Sequence, residues 1–149
     1  MEEAKQTNSK IDKIMFQIDD EDMKKSIKEI NETTKKIINT IEKKPEKYEK
    51  VHNFFDYYLP VTINILNKYD EIENQQLTDD DSKKFMDSAK KMIDKINEAF
   101  KKQLSNLYQS DIIDTDAEMK VFDSMLKSDG YDIKNDFNVK KEEENWIRN

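Results

Sequence analysis

The chain has 149 residues, of which 40% are charged and 35% hydrophobic, with a net charge of −7, one glycine, two prolines and no cysteine. This composition excludes disulfide frameworks and thiol chemistry, opposes indiscriminate binding to nucleic acid or anionic membranes, and disfavours sheet-rich folds, whose turns use glycine freely. No apolar run approaches the roughly 20 residues that cross a bilayer, and Met1 to Lys10 lack the apolar centre of a signal peptide, so a cytoplasmic helical domain is the expectation.

Residues 1–19 carry Ile11, Ile14 and Ile18 at helical spacing and are expected to form a helical or frayed extension. The cluster Asp19, Asp20, Glu21, Asp22 then breaks the register before Met23, and acids of this kind suit a helix N-terminus, where they accept from free N–H groups. From Met23 the apolar positions Ile27, Ile30, Thr34, Ile37 and Ile41 alternate steps of four and three, which predicts a helix over about 20–43. Lys43, Lys44 and Pro45 form its stop signal.

Pro45 also suits the first turn of a second helix, over about 46–75, with the stripe Tyr48, Val51, Phe55, Tyr58, Thr62, Ile65, Tyr69 and Ile72. Pro60 falls inside that stripe, where it removes a backbone hydrogen bond at a cost of about 3 kcal/mol, and a kink is predicted between Asp56 and Pro60. Thr78 and Asp81 resemble a weak capping box ahead of a third helix over about 79–109, whose stripe runs through Phe85, Ala89, Met92, Ile93, Ile96, Phe100, Leu104 and Leu107. Thr115 and Glu118 complete a capping box for a short last helix bearing Met119, Phe122, Met125 and Leu126, which Gly130 closes in the left-handed region. Residues 131–149 read as a polar tail, with Trp146 expected to pin it to the rest. The fold class is therefore all-α, an elongated antiparallel bundle of three long helices plus a short C-terminal helix, occupying residues 20–130.

Chemistry is sparsely furnished. A transition-metal site needs several His or Cys ligands, and this chain offers His52 alone, which reads as an ordinary surface residue of its helix. Arg148 is the single arginine, and one glycine cannot build a phosphate-cradling loop. Asp114-Thr115-Asp116 imitates an aspartyl-phosphate nucleophile motif but follows no strand, so it reads as capping; Asp132 to Glu143 imitates a calcium loop, but Phe137 stands where the turn needs glycine. Consecutive acids at Asp19 to Asp22 and Asp79 to Asp81 point in different directions and read as solvated helix starts. Lysine pairs such as Lys24 with Lys25 and Lys90 with Lys91 alternate with acids along solvated faces. No residue is assigned to catalysis, to a cofactor or to a metal.

The segment Phe54-Phe55-Asp56-Tyr57-Tyr58-Leu59-Pro60, followed by Ile63, Leu66 and Tyr69, resembles the YYLP signature of the 5-bromo-4-chloroindolyl phosphate hydrolysis protein family, the XpaC-like proteins. Ile96-Asn97-Glu98-Ala99-Phe100 is similar to that family's INEAF run, and Leu107 to Leu126 to its acidic connector and final helix, so the likeness spans about residues 20–130. The resemblance implies a phosphatase-like activity on an artificial indolyl phosphate and an association with toxic-anion (tellurite) resistance proteins of the TelA type, and it brings no catalytic residues with it. Its signature positions Tyr57, Tyr58, Leu59 and Pro60, with Asn97, Glu98 and Phe100, are the candidates for interaction or structure: an aromatic pair around a proline kink, and a polar flank that lines a groove or faces solvent.

Two functions follow as expectations. One is a helical adaptor or scaffold working by protein–protein contact, linked to toxic-anion resistance or envelope stress, with membrane contact only through its partner and with a seam that closes within one chain or between two copies. The other is a weak phosphomonoesterase in which carboxylates hold a divalent cation.

Overall fold

A charged, glycine-poor chain with three-four apolar spacing can bury its oily side chains only by laying helices side by side, and the structure, a computed structural model that describes residues 2–131, is an all-α helical bundle. Its elements are α1 (Glu2–Gln17), α2 (Glu21–Lys43), a 3₁₀ segment (Pro45–Lys50), a π-helical turn (Phe54–Tyr58), α3 (Leu59–Gln75) and α4 (Asp80–Ser128). The chain divides into two compact units, Met1–Leu107 and Tyr108–Asn149. The expectations for Asp132 to Glu143, for Trp146 and for Arg148 lie outside the described residues.

In the first unit, α1 is a regular helix that packs on α2 and α3 and buries Ile11 and Ile14 in the common core, joined by Ile18 just past its end. The predicted stripe of α2 is buried at every position from Met23 to Ile41. The acidic cluster does what its chemistry favours: Asp20 is the N-cap of α2, accepting from the Met23 amide at 2.9 Å. The same junction is held from two other helices. The Glu73 carboxylate of α3 accepts from the Asp19 and Asp20 amides at 2.9 and 3.3 Å, and Lys90 of α4 reaches Asp20 at 2.5 Å. The Lys90 hydrogen bond holds the Asp20 carboxyl below its ordinary range, and Asp20 in turn raises Lys90; burial raises the Tyr69 phenol beside them.

Two boundaries depart from the sequence reading. The N-cap of α4 is Asp79 rather than Thr78, accepting from the Ser82 amide at 3.0 Å and hydroxyl at 2.7 Å, which holds its carboxyl below the usual range. α3 ends at Gln75, as expected, and is capped by Gln76, a non-glycine residue at φ 52° whose amide donates to the Glu73 carbonyl. The pause expected between Tyr108 and Thr115 is absent, because α4 runs from Asp80 to Ser128 and contains neither glycine nor proline; with no breaker, propagation adds one hydrogen bond per residue, and Thr115 and Glu118 lie inside the helix instead of capping one. The stop at Gly130 is as expected, at φ 96°, with the Tyr131 amide donating back to the Leu126 carbonyl at 2.7 Å.

Candidate functional site

Proline lacks the N–H that a helix needs at that point and its ring collides with the preceding turn. Here the strain around Pro60 is taken up by widening that turn: Phe54–Tyr58 is π-helical, and the Leu59 amide donates to Phe54 five residues back. The extra residue rotates the upstream side chains by about 100° relative to an unbroken α-helix. The buried positions are consequently Val51, Phe54, Leu59, Thr62, Ile63, Leu66 and Tyr69, with a step of five between Phe54 and Leu59. The predicted stripe through Phe55, Tyr58 and Ile65 is thereby corrected: Phe55 and Ile65 are half-buried and Tyr58 is exposed. Sequence reasoning missed Phe54, the aromatic anchor of this region, which meets Phe100 edge-on at 4.6 Å and 70° and Phe55 at 5.1 Å and 84°. The signal was Pro60 itself, since an extra residue ahead of a proline displaces the register by one.

The two signature segments meet across an apolar groove of about 280 Å³ in the first unit. Tyr57, Tyr58 and Ile65 line one side, and Met92, Ile96 and Ala99 the other, with Phe100 between. Tyr57 is 64% exposed while Leu59, two residues on, is 1% exposed, so the YYLP motif splits into a surface pair and a core anchor. Pro60 is exposed and borders a second cleft, of about 170 Å³, with Glu3, Thr7, Tyr48, Phe55 and Asp56. Asn97 and Glu98 do not line the groove. Asn97 is buried towards α2, where its amide donates to Glu29 at 2.6 Å, and Glu98 is a surface residue paired with Lys101 at 3.5 Å.

Chemically, the groove offers dispersion contacts and burial. Its lining includes no carboxylate, lysine or histidine, and the Thr62 hydroxyl already donates to the Tyr58 carbonyl at 2.7 Å. A volume at the low end of ligand pockets suits a few side chains or a single aromatic ring. His52 lies on the surface with Nδ1 3.0 Å from the Glu49 carbonyl oxygen. Among the described residues there is no group of three or more His, Cys, Asp or Glu placed to hold a metal ion, and no helix long and apolar enough to cross a membrane.

The second unit presents a different surface. Tyr108, Ile112, Thr115, Met119, Phe122 and Leu126 step by four and three along α4, yet Ile112, Met119 and Phe122 are each about three-fifths exposed. Asp114 and Asp116, the candidates of the nucleophile-like motif, are exposed on the same helix, with Asp116 paired to Lys120 at 3.1 Å. Val121, Phe122 and Met125 form a shallow apolar depression together with Ala117 and Glu118. The helical spacing of Met119, Phe122 and Leu126 is legible in the sequence; that these positions belong to the continuation of α4 is not.

Among curated proteins and among solved structures, none matches the chain. A sequence model of the family described as 5-bromo-4-chloroindolyl phosphate hydrolysis protein matches residues 1–122, a span that includes α1 and both signature segments. The aromatic-proline turn and the INEAF segment that face each other across the groove thus lie within a match covering most of the chain, and the protein belongs to the 5-bromo-4-chloroindolyl phosphate hydrolysis protein family.

Proposed function

We propose that the protein is a cytoplasmic helical adaptor that works by protein–protein contact, with a toxic-anion resistance protein of the TelA type as the partner the family resemblance suggests. The observation that carries this reading is the exposed stripe of α4, where Ile112, Met119 and Phe122, which share one face of the helix, all stand more than half exposed. Contiguous exposed apolar side chains mark contact surfaces, and aromatic residues and methionine are enriched at the centres of such surfaces. The groove between Tyr57 and Ile96 supplies a second apolar recess on the other unit.

Calorimetric titration of the purified chain with a purified TelA-type protein tests the reading. Binding is expected, with Phe122→Asp weakening it at least about tenfold, the loss of one well-packed aromatic anchor. Absence of binding, or binding indifferent to Phe122→Asp and to Met119→Asp, removes the observation on which the proposal stands.

The family's description favours a second reading, hydrolysis of an indolyl phosphomonoester. The cleft that joins Glu3 and Asp56 beside Pro60 is the place where carboxylates approach the signature. Two carboxylates fall short of a divalent-cation cage, so no step is routed through a metal here. Turnover of the chromogenic phosphate that follows the protein through purification, depends on Asp56 and responds to a chelator would displace the adaptor reading.

A further inference from the structure

The stripe on distal α4 has acids along both edges. With Ile112, Met119 and Leu126 in one set of seam positions and Tyr108, Thr115 and Phe122 in the other, helical spacing puts Asp111 and Glu118 along one flank and Asp116 and Asp123 along the other. Lys120 and Lys127 lie farther from the seam and pair outward with Asp116 and Asp123, each at 3.1 Å. Exposed pairs of this type are worth little and leave the flanks acidic in sign.

Those flanks decide what can pack on the seam. In a parallel pair with a second copy, Asp111 would face Asp116 and Glu118 would face Asp123 of the other chain; in an antiparallel pair, acids of one flank would again face acids of the same flank. Either arrangement sets like charges beside a desolvated seam, which acts against self-association. The same charges oppose an anionic membrane surface. A helix with a matching apolar seam and lysine or arginine at its flanking positions meets neither penalty and satisfies both sides at once.

We infer that the distal face of α4 is a docking surface for a cationic amphipathic helix of another protein, a claim that rests on the adaptor reading and specifies its partner's chemistry. The seam supplies the burial, and the acidic flanks supply selection by charge and a faster encounter.

The experiment uses the full chain and two labelled synthetic helical peptides with identical leucine and isoleucine seams over three heptads, one flanked by lysine and the other by glutamate, read by fluorescence anisotropy. The lysine peptide is expected to bind at least about tenfold tighter at low salt, with the preference shrinking as roughly 1 M salt shortens the screening length. The double variant Asp116→Lys, Glu118→Lys, exposed on both flanks, is expected to invert the preference while leaving the thermal unfolding midpoint unchanged. Equal affinity for the two peptides overturns the charge assignment and leaves the adaptor reading in place. Failure of both peptides to bind overturns the docking surface itself, and so does light scattering that shows a dimer dissociated by Phe122→Asp, since the occupant is then a second copy. A peptide of residues 132–149 that competes more tightly than the lysine peptide overturns it in favour of the chain's own tail.

Discussion

Two stretches of this chain carry the same alternation of three and four, Met23 to Ile41 on α2 and Tyr108 to Leu126 on α4, and they differ in what covers them. On α2 the stripe is almost entirely isoleucine and threonine, every member is buried, and polar side chains at its edges bond to other helices: Ser26 to Asp94 at 3.0 Å, Glu29 to Asn97 at 2.6 Å, and Asn31 to Asp12. On distal α4 the stripe is richer in aromatic residues and methionine, its leading members are exposed, and Asp116 and Asp123 at one edge pair with Lys120 and Lys127 of the same helix. Periodicity therefore specifies a face, and only neighbouring elements determine whether that face is core or contact surface. The acids that flank the exposed stripe are its distinguishing mark.

Substitutions can break this contrast in order of expected size. Phe100→Ala removes a buried ring that packs edge-on against Phe54 and should cost about 3–5 kcal/mol, seen as a large fall in the thermal midpoint by circular dichroism. A fall no greater than that of a surface substitution would mean that the groove-side aromatic pair is not part of the core. Lys47→Met comes next. The Lys47 ammonium, on a residue only 6% exposed, donates to the Leu107 carbonyl of α4 at 2.6 Å, and its loss should cost about 1–3 kcal/mol in urea unfolding, since methionine keeps the apolar stem and drops the charged hydrogen bond.

Asp20→Asn is smaller and depends on pH. Asparagine retains the cap acceptor for the Met23 amide and loses the charge facing Lys90. Because the folded carboxyl titrates below its unfolded value of about 4, the charge contributes stability above that pH and loses it as the pH falls through the folded value. The deficit of Asp20→Asn relative to the native chain, under about 1 kcal/mol at neutral pH for a partly exposed pair, should therefore close on acidification. A deficit that is constant across the pH range would assign it to packing instead of charge. The smallest effect belongs to Phe122→Ala, which should leave folding unchanged within about 0.5 kcal/mol while it impairs partner binding; a core-sized loss would show that this face is covered after all.

The signature residues divide along the same line. Tyr57 and Tyr58 were legible as an aromatic pair beside a proline, and the structure places both on the groove, but the π turn that puts Phe54 in the core and Tyr58 outside came from the conflict between Pro60 and helix continuity, which a stripe count cannot weigh. Phe100 was read correctly as part of an apolar face. Asn97 was not, because a polar residue in an apolar stripe reads as its exposed edge until a partner such as Glu29 on another helix is brought against it.

By itself the amino-acid order determined the helical class, the start of α2 at Asp20, its end before Pro45 and the reversal at Gly130, all of which depend on local backbone chemistry within a few residues. Tertiary structure decided the rest: which turn absorbs Pro60, that α4 continues through Thr115, and that one three-four stripe is sealed by neighbouring helices while another remains open to solvent. The division has one cause. Caps and breakers act through bonds along the chain, whereas burial is a property of what packs from elsewhere in the sequence.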